Sequence, residues 1–216
     1  MKHIFIGIPS KDGRITVATA SCLMSEGDPS LVIEVFFSQL GGITFARDEI
    51  AKHFLASGAE RLVFIDEDIT WGAGDLTRLL SHDVDLVGGC YRLKQEKEAY
   101  PIRWLGGVEP ANPGNDLIEV DGLPTGFLSI RRTVFEKMYA AHPERKYKNA
   151  GNEYHGYFAM PYGWGEDLQF CRDWRALGGK VWLDPTLNLT HHAGPHSYHG
   201  NIGDWLRSRA ALKDAA

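Results

Sequence analysis

Short apolar runs alternate along the chain with longer segments in which apolar residues recur at helical spacing. This alternation is typical of a β-sheet whose strands are connected by helices. The apolar runs predict strands over residues 3–8, 31–37, 61–65, 84–87, 117–120, 127–130 and 180–183. The helical spacing predicts helices over 43–56, 75–80, 132–140 and 167–176. We therefore expect one α/β domain over residues 1–216, with a mostly parallel central sheet flanked by helices and a C-terminal tail from about residue 201.

Two long stretches, 94–115 and 142–164, lack such periodicity. The first mixes charged residues with Pro and Gly, and the second is rich in Tyr, Asn, Gly and Pro. Loops of this length in a compact domain are usually either functional or disordered. We predict that both stretches form long loops over one edge of the sheet.

Composition and charge narrow the class of protein. Hydrophobic residues make up 44% of the chain, enough for a buried core, and the net charge of -5 gives no overall attraction to nucleic acid or anionic membrane. The three cysteines lie far apart, which is typical of reduced thiols in a cytoplasmic protein. The apolar run at the N-terminus is too short for a signal peptide or a membrane span. We expect a cytoplasmic protein without a membrane anchor.

Three consecutive acids, Asp66, Glu67 and Asp68, follow the predicted strand 61–65. Ligands of open α/β sheets bind beyond the carboxyl ends of the strands. In an extended segment, residues two apart point the same way, so Asp66 and Asp68 would converge on a hard cation such as Mn²⁺ or Mg²⁺ that also binds a diphosphate. The alternative is a solvated acidic turn. A helix cap is disfavoured because the next predicted helix begins only near Asp75.

A second acidic element, Trp164-Gly165-Glu166-Asp167, opens the predicted helix 167–176. Acids in a first helical turn complement the helix dipole and need no other role. In a catalytic role, one of them would act as a general base toward an acceptor hydroxyl. Trp164 would stack on a sugar face or merely anchor the loop.

Four of the nine histidines lie close together near the C-terminus, at His191, His192, His196 and His199. Adjacent residues of a strand face opposite sides, so His191 and His192 would not both reach one metal ion. The predicted helices carry none of the histidine pairs of zinc hydrolases, and the chain has no glycine-rich phosphate loop. These absences argue against a zinc hydrolase, nucleotide hydrolysis and nicotinamide chemistry.

In their order along the chain, these three elements resemble those of GT-A glycosyltransferases, over about residues 4–200. Two further segments fit the resemblance, Ile8-Pro9-Ser10 at the end of the first strand and Ala46-Arg47-Asp48. The second acidic element is similar to the Trp-Gly-(Gly)-Glu-Asp loop of inverting galactosyltransferases but has one Gly fewer, which leaves the register of Glu166 against Asp167 open.

The resemblance implies a role for each matching residue. Asp68 and His192 would bind Mn²⁺ or Mg²⁺, with Asp66 on the ribose or on the metal through water. Asp167 would be the catalytic base, assisted by Glu166. The implied donor contacts are Pro9, Ser10, Arg14, Arg47, Asp66, Glu67 and Gly126. The implied contacts to acceptor or sugar are Trp164, Gly165, His196, Tyr198 and His199.

The function that the resemblance implies is transfer of a sugar from a nucleotide-sugar, a UDP-sugar in particular, to an acceptor hydroxyl with inversion. A retaining reaction stays open, as do the oligomeric state and the acceptor, which is a glycan, a protein or a modified DNA base. One rival is a sugar-nucleotide nucleotidyltransferase. Such enzymes have a glycine-rich phosphate loop, and residues 10–14 are a poor match to it. The other is a non-catalytic module that binds nucleotide-sugars or glycans.

Overall fold

The computed structural model describes residues 2–111, 113–161 and 163–214, in which thirteen strands and six α-helices are present. The first half contains β1 (Lys2–Pro9), α1 (Val17–Ser25), β2 (Leu31–Ser38), α2 (Ile43–Ser57), β3 (Arg61–Ile65), β4 (Ile69–Trp71), α3 (Asp75–Ser81), β5 (Leu86–Gly88) and β6 (Arg103–Trp104). The second half contains β7 (Ile118–Gly122), β8 (Phe127–Arg131), α4 (Arg132–Ala141), β9 (Lys146–Asn149), β10 (Asn152–His155), α5 (Glu166–Ala176), β11 (Val181–Leu183), β12 (Leu189–Ala193), β13 (His196–Gly200) and α6 (Ile202–Asp214).

Eight strands of the described chain form the central sheet, in the order β2-β1-β3-β8-β5-β11-β7-β6. The expected α/β class is confirmed, and the sheet is mixed: β7 and β8 run opposite to the other six strands. A parallel neighbour requires a crossover of about a dozen residues or more. Only residues 123–126 separate β8 from β7, so no helix connects these two strands. In the sheet, β8 lies between β3 and β5 and pairs antiparallel with both.

Two smaller sheets were not expected from the sequence. Strands β13, β12 and β4 form one of them, and the hairpin β9–β10 forms the other. The hairpin lies within the predicted loop 142–164, and β6 with a 3₁₀ turn at Leu105–Gly107 lies within the predicted loop 94–115. These strands are short and carry mostly polar residues, so they lack the alternation of apolar and polar positions that marks a strand.

The core lies on both faces of the central sheet because its inner strands bury both sets of alternating side chains. On β1, Phe5 faces the cluster formed with α2, α4 and α5, whereas Ile4 and Ile6 face the opposite cluster with α3 and β4. Strand β3 is fully buried from end to end. The acids that follow β3 are therefore carried on one of the most constrained elements of the fold.

The predicted tail is helical from Ile202 onward, and its Ile202 and Leu206 side chains belong to the core. Residues 215–216 lie outside the described part of the chain. None of the helices that the structure describes has the length and apolar character needed to cross a membrane.

Asp48 of α2 is a buried carboxyl that ties this helix to the segment around the β9–β10 hairpin. Its Oδ1 accepts from the backbone N–H groups of Tyr157 and Phe158 at 2.9 and 3.1 Å, and its Oδ2 accepts from the Tyr147 hydroxyl at 2.9 Å. Burial raises the pKa of Asp48 to about 7, although the hydrogen bonds from Phe158, Tyr147 and Tyr157 act in the opposite direction.

This raised pKa predicts a pH-dependent stability. Between the ordinary carboxyl pKa of 3.8 and about 7, the folded chain retains a proton that the unfolded chain has released. The free energy of unfolding should therefore fall as the pH rises through this window. Asp48→Asn cannot ionise and should show a shallower fall, measured by urea unfolding at several pH values. Parallel curves for the two proteins would contradict the assignment.

Candidate active site

The first acidic element lies at the edge of the sheet where β3 ends and β8 begins. The Asp66 backbone N–H donates to the Gly126 carbonyl at 3.1 Å, which holds the two elements together. A Cβ on Gly126 would lie 2.5 Å from Asp66 Oδ2 and 2.6 Å from a ring carbon of Tyr91. Only glycine allows these side chains to approach so closely at this position.

Arg47, from the middle of α2, joins the two acidic elements. Its Nη2 donates to Asp66 Oδ1 at 3.0 Å and its Nη1 donates to Glu166 Oε1 at 2.5 Å. The Arg47 side chain is only 4% exposed. Burial alone would lower its pKa, but the negative charges of Asp66 and Glu166 outweigh this effect and raise it. The guanidinium therefore stays charged and brings together acids that lie 100 residues apart in sequence.

Asp66 and Asp68 have different partners. Asp66 Oδ2 also accepts from the Tyr91 hydroxyl at 3.2 Å, whereas Asp68 contacts Lys94 and His191. The chain turns directly after β3, with the Ile69 N–H donating to the Asp66 carbonyl at 3.1 Å. Because the segment is a turn and not an extended strand, residues two apart do not share a direction here.

Asp68 forms the centre of a small charged group with Lys94 and His191. The Lys94 ammonium donates to Asp68 Oδ2 at 2.5 Å, and His191 Nε2 lies 3.5 Å from Asp68 Oδ1. His191 Nδ1 is 3.0 Å from the Arg92 carbonyl, which can only accept, so Nδ1 carries a hydrogen and Nε2 faces the carboxylate. Burial raises the pKa of Asp68, but His191 and Lys94 outweigh burial and lower it, so the carboxylate is ionised.

His192, the expected metal ligand, has other hydrogen-bond partners than the residues of this group. Its Nε2 is 3.0 Å from the Thr70 hydroxyl and its Nδ1 is 3.0 Å from the Ser197 hydroxyl, while its backbone N–H donates to the Asp68 carbonyl. Burial and the nearby His199 lower its pKa. Within the described residues, no set of three acidic, histidine or cysteine side chains is arranged to hold a metal ion.

Glu166 and Asp167 open α5 and differ in their surroundings. Glu166 accepts a hydrogen bond from Arg47. Within the described chain, Asp167 Oδ1 accepts a hydrogen bond only from the Leu168 backbone N–H, at 2.7 Å. Burial raises the pKa of Asp167, and the charge of Glu166 adds to the increase. A Cβ on Gly165 would lie 2.8 Å from Asp167 Oδ1, so glycine gives this carboxyl its space.

A cavity of about 440 Å³ lies beside the acids, between the end of β1 and the start of α2. Its lining includes Pro9, Ser10 and Glu67 among the expected donor contacts. Glu67 Oε2 is buried and has no hydrogen-bond partner among the described residues. The Ser10 hydroxyl donates to the Arg14 carbonyl at 2.6 Å, while Arg14 itself is exposed and does not line the cavity.

The expected acceptor contacts fall into two groups. Trp164 is 38% exposed and packs under the Arg172 guanidinium, whose central carbon is 4.9 Å from the ring centroid. The other group, His196, Tyr198 and His199, lies on β13 at the edge of the small sheet. Of these, His199 is bound to Thr190, and the Tyr198 ring lies 5.8 Å below the Arg92 guanidinium.

Two residues of the site, Tyr91 and Lys94, were missed by sequence reasoning. Both follow β5, which ends at the same edge of the sheet as β1 and β3. The carboxyl ends of parallel strands gather ligand-binding residues. Polar residues after the apolar run 84–87 could therefore have indicated these two site residues. They were overlooked because a long loop was predicted to follow.

Comparison with known proteins identifies the fold. The chain matches no protein-family model and no curated protein sequence. Its structure is similar to that of A197 from STIV, with a TM-score of 0.62 and 19% sequence identity over 93% of this chain and 95% of that chain. It is also similar to the structure of GalNAc-T7 with UDP, GalNAc and Mn²⁺, with a TM-score of 0.57 and 11% identity over 98% of this chain.

The chain spans about half of the GalNAc-T7 chain, 47% of its length. At such low identities, the similarity concerns the fold alone. The protein therefore has a glycosyltransferase-like α/β fold.

The ion pairs of Arg47 predict a large effect of its removal on stability. Arg47→Met would leave the Asp66 and Glu166 carboxylates without their buried counter-charge, and we expect the free energy of unfolding to fall by about 3–5 kcal/mol. Adding Glu166→Gln should recover part of the loss. Denaturant unfolding measures both variants, with Arg207→Met on the exposed face of α6 as a control expected to change stability by less than about 0.5 kcal/mol. An Arg47→Met protein as stable as this control would contradict the bridging role.

Proposed function

We propose that the protein is a metal-dependent glycosyltransferase that moves a sugar from a UDP-sugar to an acceptor hydroxyl with inversion of the anomeric carbon. The observation that carries the proposal is the bridge from Asp66 through Arg47 to Glu166. It brings the acid-rich turn after β3 and the acidic start of α5 to one edge of a glycosyltransferase-like sheet, beside a cavity. Such an arrangement supplies the parts that sugar transfer requires: a donor site, a cation site and a base.

The cavity between β1 and α2 is the donor site in this proposal. Its volume of about 440 Å³ lies within the range of about 300–1,000 Å³ typical of small-molecule sites. Apolar walls from Ile43 and Ala46 suit a nucleobase, and the unpaired Glu67 Oε2 suits a hydrogen-bond donor of the nucleoside. The similarity to a protein solved with UDP, GalNAc and Mn²⁺ supports a UDP-sugar as the donor.

Asp68 and His191 are the residues that would hold Mn²⁺ or Mg²⁺. Carboxylate oxygen and neutral imidazole nitrogen both suit Mn²⁺, and ions of this kind commonly complete their coordination with substrate phosphates and water. The fit of these residues to a metal ion depends on His191. Its Nδ1 is fixed by the Arg92 carbonyl, so its Nε2 faces Asp68. When bound, the ion neutralises charge on the departing diphosphate. Lys94 adds a positive charge at the same place.

Asp167 is the proposed general base. Glu166 is ion-paired with Arg47, whereas Asp167 forms no ion pair among the described residues and has a raised pKa, which makes it the stronger proton acceptor. Asp167 takes the proton of the acceptor hydroxyl as the oxygen bonds to the anomeric carbon. The bond from that carbon to the diphosphate oxygen breaks at the same time, and the nucleoside diphosphate leaves.

The proposal places the enzyme in the cytoplasm. Cys22, Cys90 and Cys171 are free thiols in the structure, and the last two are buried. Free thiols are typical of a reducing compartment.

Asp167→Asn should separate catalysis from donor binding. Loss of the base predicts a fall in the transfer rate of about 10²–10⁴-fold, while calorimetry should still detect the donor. In the wild-type enzyme, the rate should rise with pH through a pKa above the ordinary value of 3.8, because only the ionised carboxyl accepts the proton. The exposed Asp204→Asn serves as the control for loss of a carboxylate. Near-normal transfer by Asp167→Asn would exclude it as the base.

Metal-dependent donor binding tests the function itself. A panel of nucleotide-sugars titrated by calorimetry should give one donor whose binding requires Mn²⁺, and Asp68→Ala should lose this Mn²⁺-dependent binding. His191→Ala should weaken Mn²⁺ binding at least about 10-fold, whereas the neighbouring His192→Ala should change it by less than about 3-fold.

Each rival predicts a different outcome of this test. Metal binding lost in His192→Ala and kept in His191→Ala would favour the other ligand assignment. A nucleotidyltransferase would release pyrophosphate from a nucleoside triphosphate and a sugar phosphate. A binding module would bind a donor or a glycan and turn neither over.

A further inference from the structure

A second cavity lies beside the start of α5, and the mechanism above does not use it. Its volume is about 420 Å³, at the lower end of the range for small-molecule sites. Two tryptophans and three arginines line its walls together with one carboxylate, Asp121, and we call it the tryptophan–arginine groove. The residues that shape it are Arg103, Trp104, Gly122, Trp164, Leu168 and Arg172.

The groove is adjacent to the proposed base. Leu168 and Arg172 are four residues apart and share one face of α5, and Trp164 packs on Arg172 from the segment that precedes the helix. Asp167 directly precedes Leu168 in the first turn of α5, and at about 100° per residue it is equally far around the helix from Leu168 and from Glu166, which pairs with Arg47. A molecule seated in the groove would therefore lie at the end of α5 that carries Asp167.

A glycine keeps the floor of the groove open. Gly122 ends β7, and a Cβ there would lie 2.9 Å from Leu168 Cδ2 and 3.8 Å from Arg103 Cβ. A larger residue would push Leu168 outward and fill the space between α5 and β6. The open floor therefore depends on the absence of a side chain at this position.

The charges in the groove are unbalanced. Arg175 is neutralised by Glu119 and Asp121 at 3.2 Å each. Within residues 2–111, 113–161 and 163–214, by contrast, neither Arg103 nor Arg172 has a carboxylate partner, and Arg172 instead stacks on Trp164. Two guanidinium groups are thus available to an anionic ligand, next to aromatic faces that suit the C–H face of a sugar ring.

We propose that the tryptophan–arginine groove binds a saccharide unit of the acceptor that carries a negative charge, as a carboxylate or a phosphate. This inference rests on the proposed glycosyltransferase function and specifies its acceptor. A nucleic acid is the poorer occupant, because the chain has a net charge of -5 and the groove has room for only a short ligand.

Three matched ligands test the inference: methyl glucoside, methyl glucuronide and methyl glucoside 6-phosphate. They differ only at carbon 6, so NMR titrations of the wild-type protein measure the contribution of the charge. We expect at least about 10-fold tighter binding for one or both of the anionic ligands than for the neutral one, and the stronger of the two identifies the anion. Equal binding of all three, or tighter binding of a short single-stranded oligodeoxynucleotide, would overturn the proposal.

Arg103→Gln separates recognition of the anion from stacking. Arg103 is exposed, so the substitution should not disturb folding, and it should remove most of the preference for the anionic ligand while changing the affinity for methyl glucoside by less than about 2-fold. The matched control is Arg207→Gln, which removes the same charge from an exposed site on α6 and should keep the preference. An unchanged preference in Arg103→Gln would also overturn the proposal.

The same samples separate the two proposals. Wild-type protein is titrated with UDP-sugars and Mn²⁺ in parallel with the three glucosides. Donor binding without a preference for the anionic ligands overturns the groove assignment alone. A preference for the anionic ligands without any donor binding or turnover overturns the glycosyltransferase proposal, and the groove then belongs to a glycan-binding module.

Discussion

A single buried guanidinium holds the two halves of the candidate site together. Arg47 is nearly inaccessible to solvent, and a charge in such a place is tolerated only when it is paired and hydrogen-bonded. Its two partners, Asp66 and Glu166, come from the turn after β3 and from the first turn of α5. Any movement that separates α5 from this edge of the sheet would leave a buried charge unpaired. The geometry of the site is therefore coupled to the stability of the fold.

The same ion pairs determine which acids remain for chemistry. Asp66 and Glu166 are ion-paired with Arg47, which makes both of them poorer proton acceptors. Asp68, beyond the turn, faces Lys94 and His191 and has a lowered pKa, whereas Asp167 has a raised pKa. Acids that look equivalent in sequence thus differ in how readily they ionise, because their surroundings favour or oppose the ionised form.

The sequence was sufficient to predict an element wherever a local pattern of residues determines its structure. Helix α2 and strand β3 were predictable because their apolar residues recur at helical spacing or form an unbroken run. The alternation of a strand also indicates that His191 and His192 face opposite sides, but not which side faces Asp68. That choice depends on the pairing of β12 with β4, a strand of three residues that no local pattern marks. The different directions of the Asp66 and Asp68 side chains could not be predicted for a related reason. They depend on a turn that is stabilised by hydrogen bonds of the neighbouring backbone.

The two cavities are constrained to different degrees. The proposed donor cavity adjoins β1 and α2, whose buried residues belong to the core, so changes there cost packing energy. The groove is formed by β6, a two-residue strand at the sheet edge, by Arg172 of α5 and by Trp164 before this helix, and both of these side chains are exposed. Substitutions at exposed positions cost little stability. The proposed acceptor side can therefore vary in sequence while the fold and the paired centre are kept. Arg103 and Arg172, which have no carboxylate partner in the described part of the chain, are better explained by a ligand than by the stability of the fold.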